Sequence, residues 1–151
     1  MPVMKHMPGH GRATLDSHHN LPRVDARRID LEAVDFAPFR SLRDLPMGMT
    51  AHLVYDALDD CPATLSSEVI RVIRKDIGFD NLLMTDDISM KALRASPAES
   101  TRAALAAGCD GAPFCNRPLG GRPPGRRAGG ARAPAQPNRA RRARAPRPPP
   151  P

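Results

Sequence analysis

The sequence predicts an α/β fold built on a parallel sheet, and three observations carry that prediction. Short apolar stretches recur, each running into polar or ionisable residues; amphipathic helical patterns separate them; and the two kinds of segment alternate strictly. Such alternation predicts βαβ units with right-handed crossovers. In sheets of this kind the chemistry collects at the carboxyl ends of the strands.

The first strand is expected at Pro2-Val3-Met4, running into Lys5-His6, and the second at residues 45–50, running into Ala51-His52. The third is Leu82-Leu83-Met84, running into Thr85-Asp86-Asp87. Apolar runs this short, bounded by turn residues, suit strands buried on both faces. Lys5, His6, His52 and Asp86 therefore stand at strand ends. Between the second and third strands, Val69, Ile70, Val72, Ile73 and Ile77 share one helical face, with Ser66 or Ser67 as the cap and Gly78 as the left-handed stop. A later helix opens at Ser96-Pro97-Ala98-Glu99, a capping box with proline at the first helical position, continues through the alanine-rich residues 103–107 and ends at Gly108. A weaker helix is expected over residues 36–42, where Pro38 is tolerable only in a first turn.

Composition divides the chain in two. Of its 151 residues, 23 are Lys or Arg and 16 Asp or Glu, a net charge of +7. Residues 116–151 hold ten Arg, ten Pro, seven Ala and five Gly with no acidic residue, a tail of charge +10, which leaves residues 1–115 at −3. We expect a folded domain over residues 1–115 and a disordered, basic, low-complexity tail over 116–151. Three cysteines without a CxxC or paired Cys/His spacing argue against a disulfide framework or a zinc site. No signal-peptide pattern opens the chain and no apolar run approaches the roughly 20 residues of a membrane span. A soluble chain in the cytoplasm is the expectation.

Four of the five histidines lie in the loop His6-Met7-Pro8-Gly9-His10-Gly11-Arg12-Ala13-Thr14-Leu15-Asp16-Ser17-His18-His19. Pro8, Gly9 and Gly11 forbid a regular helix there. Three readings stand side by side: a solvated loop with incidental histidines, a metal site using Asp16 and two or three histidines, and an acid/base pair in which Asp16 fixes the tautomer of His18. Asp86 and Asp87 cannot both point into one site while the strand stays regular. Asp87 is read as the cap of a short helix at Ile88-Ser89-Met90-Lys91, and Asp86 as the carboxylate facing a substrate.

Taken in order, Lys5-His6-Met7-Pro8-Gly9-His10-Gly11, Asp16-Ser17-His18, Met49-Thr50-Ala51-His52, Ile77-Gly78-Phe79-Asp80 and Leu83-Met84-Thr85-Asp86-Asp87-Ile88-Ser89-Met90-Lys91-Ala92 resemble the β-N-acetylhexosaminidases of glycoside hydrolase family 3. The resemblance covers residues 3–115. It implies about the second half of a (β/α)8 barrel and a retaining glycosidase, without metal or cofactor, that removes terminal non-reducing N-acetylglucosamine from muropeptide or chito-oligosaccharide substrates during cell-wall recycling. It further implies that Asp86 is the nucleophile, His18 the acid/base, Asp16 the partner that orients and charges His18, and Lys5 with His6 the pair that grips sugar hydroxyls. Family 3 β-glucosidases are the runner-up; their acid/base generally comes from elsewhere, so Asp16-Ser17-His18 favours the hexosaminidase branch.

Two departures accompany the resemblance. A full barrel takes about 250 residues, and the matching region begins mid-barrel. The second departure is the tail, in which Arg, Pro, Gly and Ala all have codons beginning with G or C in both first positions. A different reading of the chain is a non-catalytic remnant, or a binder of anionic polymers through the arginine-rich tail; without aromatic residues there, no specific nucleic acid is expected. The composition predicts a frameshift near Cys115-Asn116. Resequencing the gene should find a family-like ending in another frame, and its absence from all frames would refute the frameshift.

Overall fold

The computed structural model describes residues 1–15, 20–93 and 95–115, together with the backbone of residues 131 and 132. Among these residues the strands are β1 (Val3–Met7), β2 (Arg23–Val24), β3 (Met47–Thr50), β4 (Val54–Tyr55), β5 (Leu82–Met84), β6 (Gly111–Ala112) and β7 (Ala131–Arg132). The main sheet runs β1-β3-β5-β6-β7, parallel from β1 to β6. β3 and β5 fall where the sequence places them. The strands β2 and β4 form a second, two-stranded parallel ladder.

β1 departs from expectation in an informative way, because Lys5 and His6 lie inside the strand and not beyond it. Met4 pairs with Gly48 but Met7 pairs with Thr50, so β1 carries one extra residue against β3. In a regular strand, positions three apart face opposite sides. The bulge lets both Met4 and Met7 enter the core, while Lys5 stays exposed and His6 half-buried.

The helical layer forms α1 (Arg28–Asp30), α2 (Ala37–Ser41), α3 (Ser67–Arg71) and α4 (Pro97–Ala107). Ser66 caps α3 by accepting the Val69 N–H, and Ser96 with Glu99 closes the capping box that opens α4. Gly78 and Gly108 end these helical segments at φ +82° and +114°. Beyond Arg71 the backbone widens into a π-helical turn, Val72–Asp76, with the Ile77 N–H bonded to the Val72 carbonyl at 3.0 Å. Residues five apart lie about 140° apart on an α-helix. The wider turn brings Val72 and Ile77 toward one side, and both are buried. A similar turn, Leu31–Asp35, joins α1 to α2, in which Pro38 sits in the first turn as expected.

The core lies between sheet and helices around Met4, Met7, Leu31, Phe36, Leu53, Tyr55, Ile73, Phe79 and Leu83. One expectation is corrected. The helix anticipated at Ile88-Ser89-Met90-Lys91 is a pair of turns, closed by the Met90 N–H on the Asp87 carbonyl at 3.1 Å and the Leu93 N–H on the Met90 carbonyl at 3.2 Å. Residues 131 and 132 pair antiparallel with β6. The rest of residues 116–151 lies outside the described residues.

Gly48 marks the tightest approach between β1, β3 and the helical layer. A Cβ there would stand 2.7 Å from Met7 Sδ and 3.0 Å from the Phe79 ring, both on buried residues. Gly48→Ala should therefore destabilise the fold by about 1–3 kcal/mol, read as a lower urea midpoint with an unchanged slope.

Candidate active site

The site is assembled at the carboxyl end of the parallel ladder. The last rung from β5 toward β6 is the Thr85 N–H donating to the Gly111 carbonyl at 3.0 Å, and Asp86 follows immediately. There its carboxylate meets β1: Asp86 Oδ2 lies 3.3 Å from His6 Nε2, and Asp86 Oδ1 accepts the Asp87 N–H at 2.8 Å. The His6 contact, aided by the Asp87 N–H and opposed by partial burial, holds the Asp86 carboxyl down at about 2. The carboxylate stays anionic at neutral pH while its side chain keeps 22% of its surface exposed.

Asp87 is oriented otherwise. Its Oδ1 accepts the Ser89 N–H at 3.0 Å, the Ser89 hydroxyl at 2.7 Å and the Cys115 N–H at 3.2 Å. The two adjacent carboxylates thus divide, Asp87 stabilising a turn and Asp86 meeting His6.

The loop after β1 is braced from below. The buried Tyr55 hydroxyl donates to the Gly9 carbonyl, and a Cβ on Gly9 would stand 3.0 Å from Asp35 Cβ. Arg12 pairs with the same Asp35 at 2.7 Å, fixing the loop's far side. Within this frame His10 stacks obliquely on His6, ring centroids 5.6 Å apart. Burial, then the neighbouring His6, lowers the His10 pKa and favours a neutral ring.

His52, just past β3, is buried. Its Nδ1 lies 2.8 Å from Thr64 Oγ1 and its Nε2 3.1 Å from the Asp87 carbonyl oxygen. Thr50 Oγ1 in turn lies 2.8 Å from Thr64 Oγ1. Desolvation lowers the His52 pKa. Sequence reasoning placed His52 at a strand end but gave it no partner, and it missed Thr64 and Tyr55, whose importance depends on contacts across the fold.

Of the expected site residues, the structure brings Asp86 and His6 together. Lys5 is exposed, and among the described residues no hydrogen bond or ion pair joins it to Asp86. Asp16 and His18 lie outside the described residues. Among the described residues no three metal-ligating side chains gather, and no helix is long and apolar enough to cross a membrane.

A family model described as the Glycosyl hydrolase family 3 N terminal domain matches residues 1–119. The Beta-hexosaminidase of Alkalilimnicola ehrlichii is 45% identical over 121 residues, which cover 77% of this chain and 35% of the relative. NagZ from Neisseria gonorrhoeae, solved in complex with N-trifluoroacetyl-D-glucosamine, superposes with a TM-score of 0.68 at 38% identity, covering 77% of this chain and 35% of that one. CbsA from Thermotoga neapolitana superposes with a TM-score of 0.69 at 40% identity, covering 73% and 27%. The chain spans about a third of the length of the curated relatives it matches.

A folded-state pKa below the unfolded value means that Asp86 contributes stability at neutral pH, which fades as pH falls from about 4 toward about 2. Since His6 is the largest cause, His6→Ala should raise the Asp86 midpoint toward the ordinary carboxylate range, as followed by carboxyl carbon NMR. A midpoint unmoved by the substitution would disprove the coupling.

Proposed function

Because the chain belongs to glycoside hydrolase family 3, we propose that it carries the catalytic groups of a retaining β-N-acetylhexosaminidase, with Asp86 as nucleophile. One observation supports this assignment above the rest: a partly exposed carboxylate, held anionic by His6, at the carboxyl end of a parallel strand. A nucleophile must keep its lone pairs unprotonated at working pH, and this environment secures that.

In this reading the Asp86 carboxylate attacks the anomeric carbon while His18, as imidazolium, gives its proton to the departing glycosidic oxygen. A glycosyl ester on Asp86 results. The neutral His18 then takes a proton from water, whose oxygen attacks the same carbon; the ester bond breaks and Asp86 leaves as the carboxylate. Two displacements retain the configuration. Asp16 orients His18 and favours its charged form, because a carboxylate neighbour raises a histidine's pKa. Lys5 and His6 hold sugar hydroxyls.

The proposed substrate carries a terminal N-acetylglucosamine, as in muropeptides or chito-oligosaccharides; the ligand named in the Neisseria NagZ structure, N-trifluoroacetyl-D-glucosamine, supports that class. The activity is placed in the cytoplasm, in the turnover of cell-wall fragments, and the three free thiols Cys61, Cys109 and Cys115 suit such a reducing compartment. The strands β1, β3, β5 and β6 are assigned to the second half of a (β/α)8 barrel.

The test uses the full chain with an aryl N-acetyl-β-glucosaminide. Asp86→Ala should lower turnover by at least about a thousandfold, and a slow substrate should leave a hexosamine mass on the peptide containing Asp86. Replacing His18 should slow poor leaving groups most, since activated ones need little protonation. Undiminished turnover by Asp86→Ala would overturn the nucleophile assignment.

A further inference from the structure

The geometry points to His52 as a positioning residue for Asp86, acting through the Asp87 backbone and fed by an ordered chain of buried hydroxyls. The inference deepens the reading above and rests on it for its catalytic meaning. Its structural content stands on hydrogen-bond geometry and the burial of His52.

His52 is 1% exposed, and its Nε2 lies 3.1 Å from the Asp87 carbonyl oxygen. A carbonyl only accepts, so Nε2 carries the proton. Burial favours the neutral ring, which leaves Nδ1 with a lone pair. Its partner at 2.8 Å, Thr64 Oγ1, must therefore donate. A hydroxyl has one proton, so Thr50 Oγ1, 2.8 Å away, donates to Thr64 in turn. The Ala51 carbonyl, 3.0 Å from Thr64 Oγ1, is the competing acceptor, and Thr64 serves it only if Nδ1 is itself protonated. In the neutral state the protons run in one direction, from Thr50 to Thr64 to His52 to Asp87.

The receiving end of this chain bears on Asp86. The Asp87 N–H sits on Asp86 Oδ1 at 2.8 Å, so any movement of Asp87 alters the carboxylate's hydrogen bonding. Asp87 is otherwise held by groups near it on the same side of the sheet: Ser89, Cys115, and the Met90 N–H on its carbonyl at 3.1 Å. His52 ties the segment, through the buried Thr64 and Thr50, to the 3-10 turn Ala63–Leu65 and to the end of β3. Outer groups of this kind fix the orientation of reactive side chains to within the tolerance that chemistry needs. The charged or titratable groups that act on His52 are Asp86, Asp87 and His6.

Two substitutions separate positioning from bulk. Gln extends an N–H to the place of His52 Nε2, whereas Asn reaches only the place of Nδ1. In the full chain, imidazole 15N NMR should show the Nε2–H tautomer of His52, with a titration midpoint below that of a free imidazole. His52→Asn should shift the Asp87 amide signal and raise the Asp86 carboxyl midpoint, and His52→Gln should keep both near the parent values. With the aryl glycoside, His52→Asn should lower kcat by about ten- to a hundredfold at nearly constant KM, and His52→Gln should recover most of the loss. If His52→Asn does not fold, Thr64→Val cuts the same chain one link earlier and should move Asp86 in the same direction. An Nδ1–H tautomer, or an Asp86 midpoint indifferent to these changes, would overturn the proposal. Turnover absent from the parent chain while the His52 to Asp86 coupling persists would instead overturn the glycosidase reading and leave the positioning intact.

Discussion

The parallel register of β1, β3 and β5 is the constraint on which the site depends. Gly48 faces Met4 on one side and Leu83 on the other, so three short strands end at nearly one level. Only from that level can His6 reach Asp86 across the intervening strand. The bulge in β1 sets the final offset. It pairs Met7 with Thr50, and the Ala51 N–H then bonds the Met7 carbonyl at 2.9 Å, carrying the ladder one step beyond β3. Without the extra residue, Met7 would turn out of the core and His6 would turn with it, since a shift of one reverses every side chain.

β5 is only three residues long, too short to hold its register by ladder bonds alone. It is clamped from the helical layer. Arg74, in the π-helical turn, donates to the Phe79 and Asn81 carbonyls at 3.0 and 2.8 Å and to Asp110 Oδ2 at 2.7 Å. That same Asp110 oxygen accepts the Leu83 N–H at 2.9 Å, and the Asp110 N–H returns to the Leu83 carbonyl at 2.7 Å. Largely buried ion pairs add little net stability, because desolvation offsets attraction. Their worth here is positional: the strand that delivers Asp86 is fixed at its entry and at its middle. The π-helical turn belongs to the same economy, since the backbone that buries Val72 and Ile77 also carries Arg74.

The elements readable from sequence were those with a local cause. Ser66 and Ser96 announce helix starts because their caps bond within three residues, and the apolar runs at β3 and β5 announce strands because none of their residues is fully exposed. Asp86 stands out in the sequence by its place after such a run and by the motif around it, and the structure sets it against His6. β2, β4 and β6, each two residues long, have no periodicity to detect and exist through partners distant in the chain. Tyr55 and Thr64 escaped for the same reason: a tyrosine beneath a glycine carbonyl and a threonine beneath a histidine look ordinary until the fold joins them. The turn at residues 88–93 was misread because the capping signal at Asp87 is real but local. The cap bonds form, and the backbone beyond them closes two successive turns instead of continuing as a helix.

The two neighbouring carboxylates show how position converts one chemistry into two roles. Both are held below their ordinary pKa, so charge alone does not distinguish them. What distinguishes them is how much accepting capacity is left. Asp87 Oδ1 receives three donors from the turn it closes, and a carboxylate occupied in this way is a structural anchor. Asp86 receives one backbone N–H on Oδ1 and faces His6 with Oδ2, a contact at 3.3 Å that is long for a charge-assisted hydrogen bond. Among the described residues no further donor meets its remaining lone pairs, and the side chain is partly open to solvent. The nucleophile proposed at Asp86 would need this combination of fixed charge and accessible electrons, and Asp86 stands where the last β5 to β6 rung, at Thr85, ends.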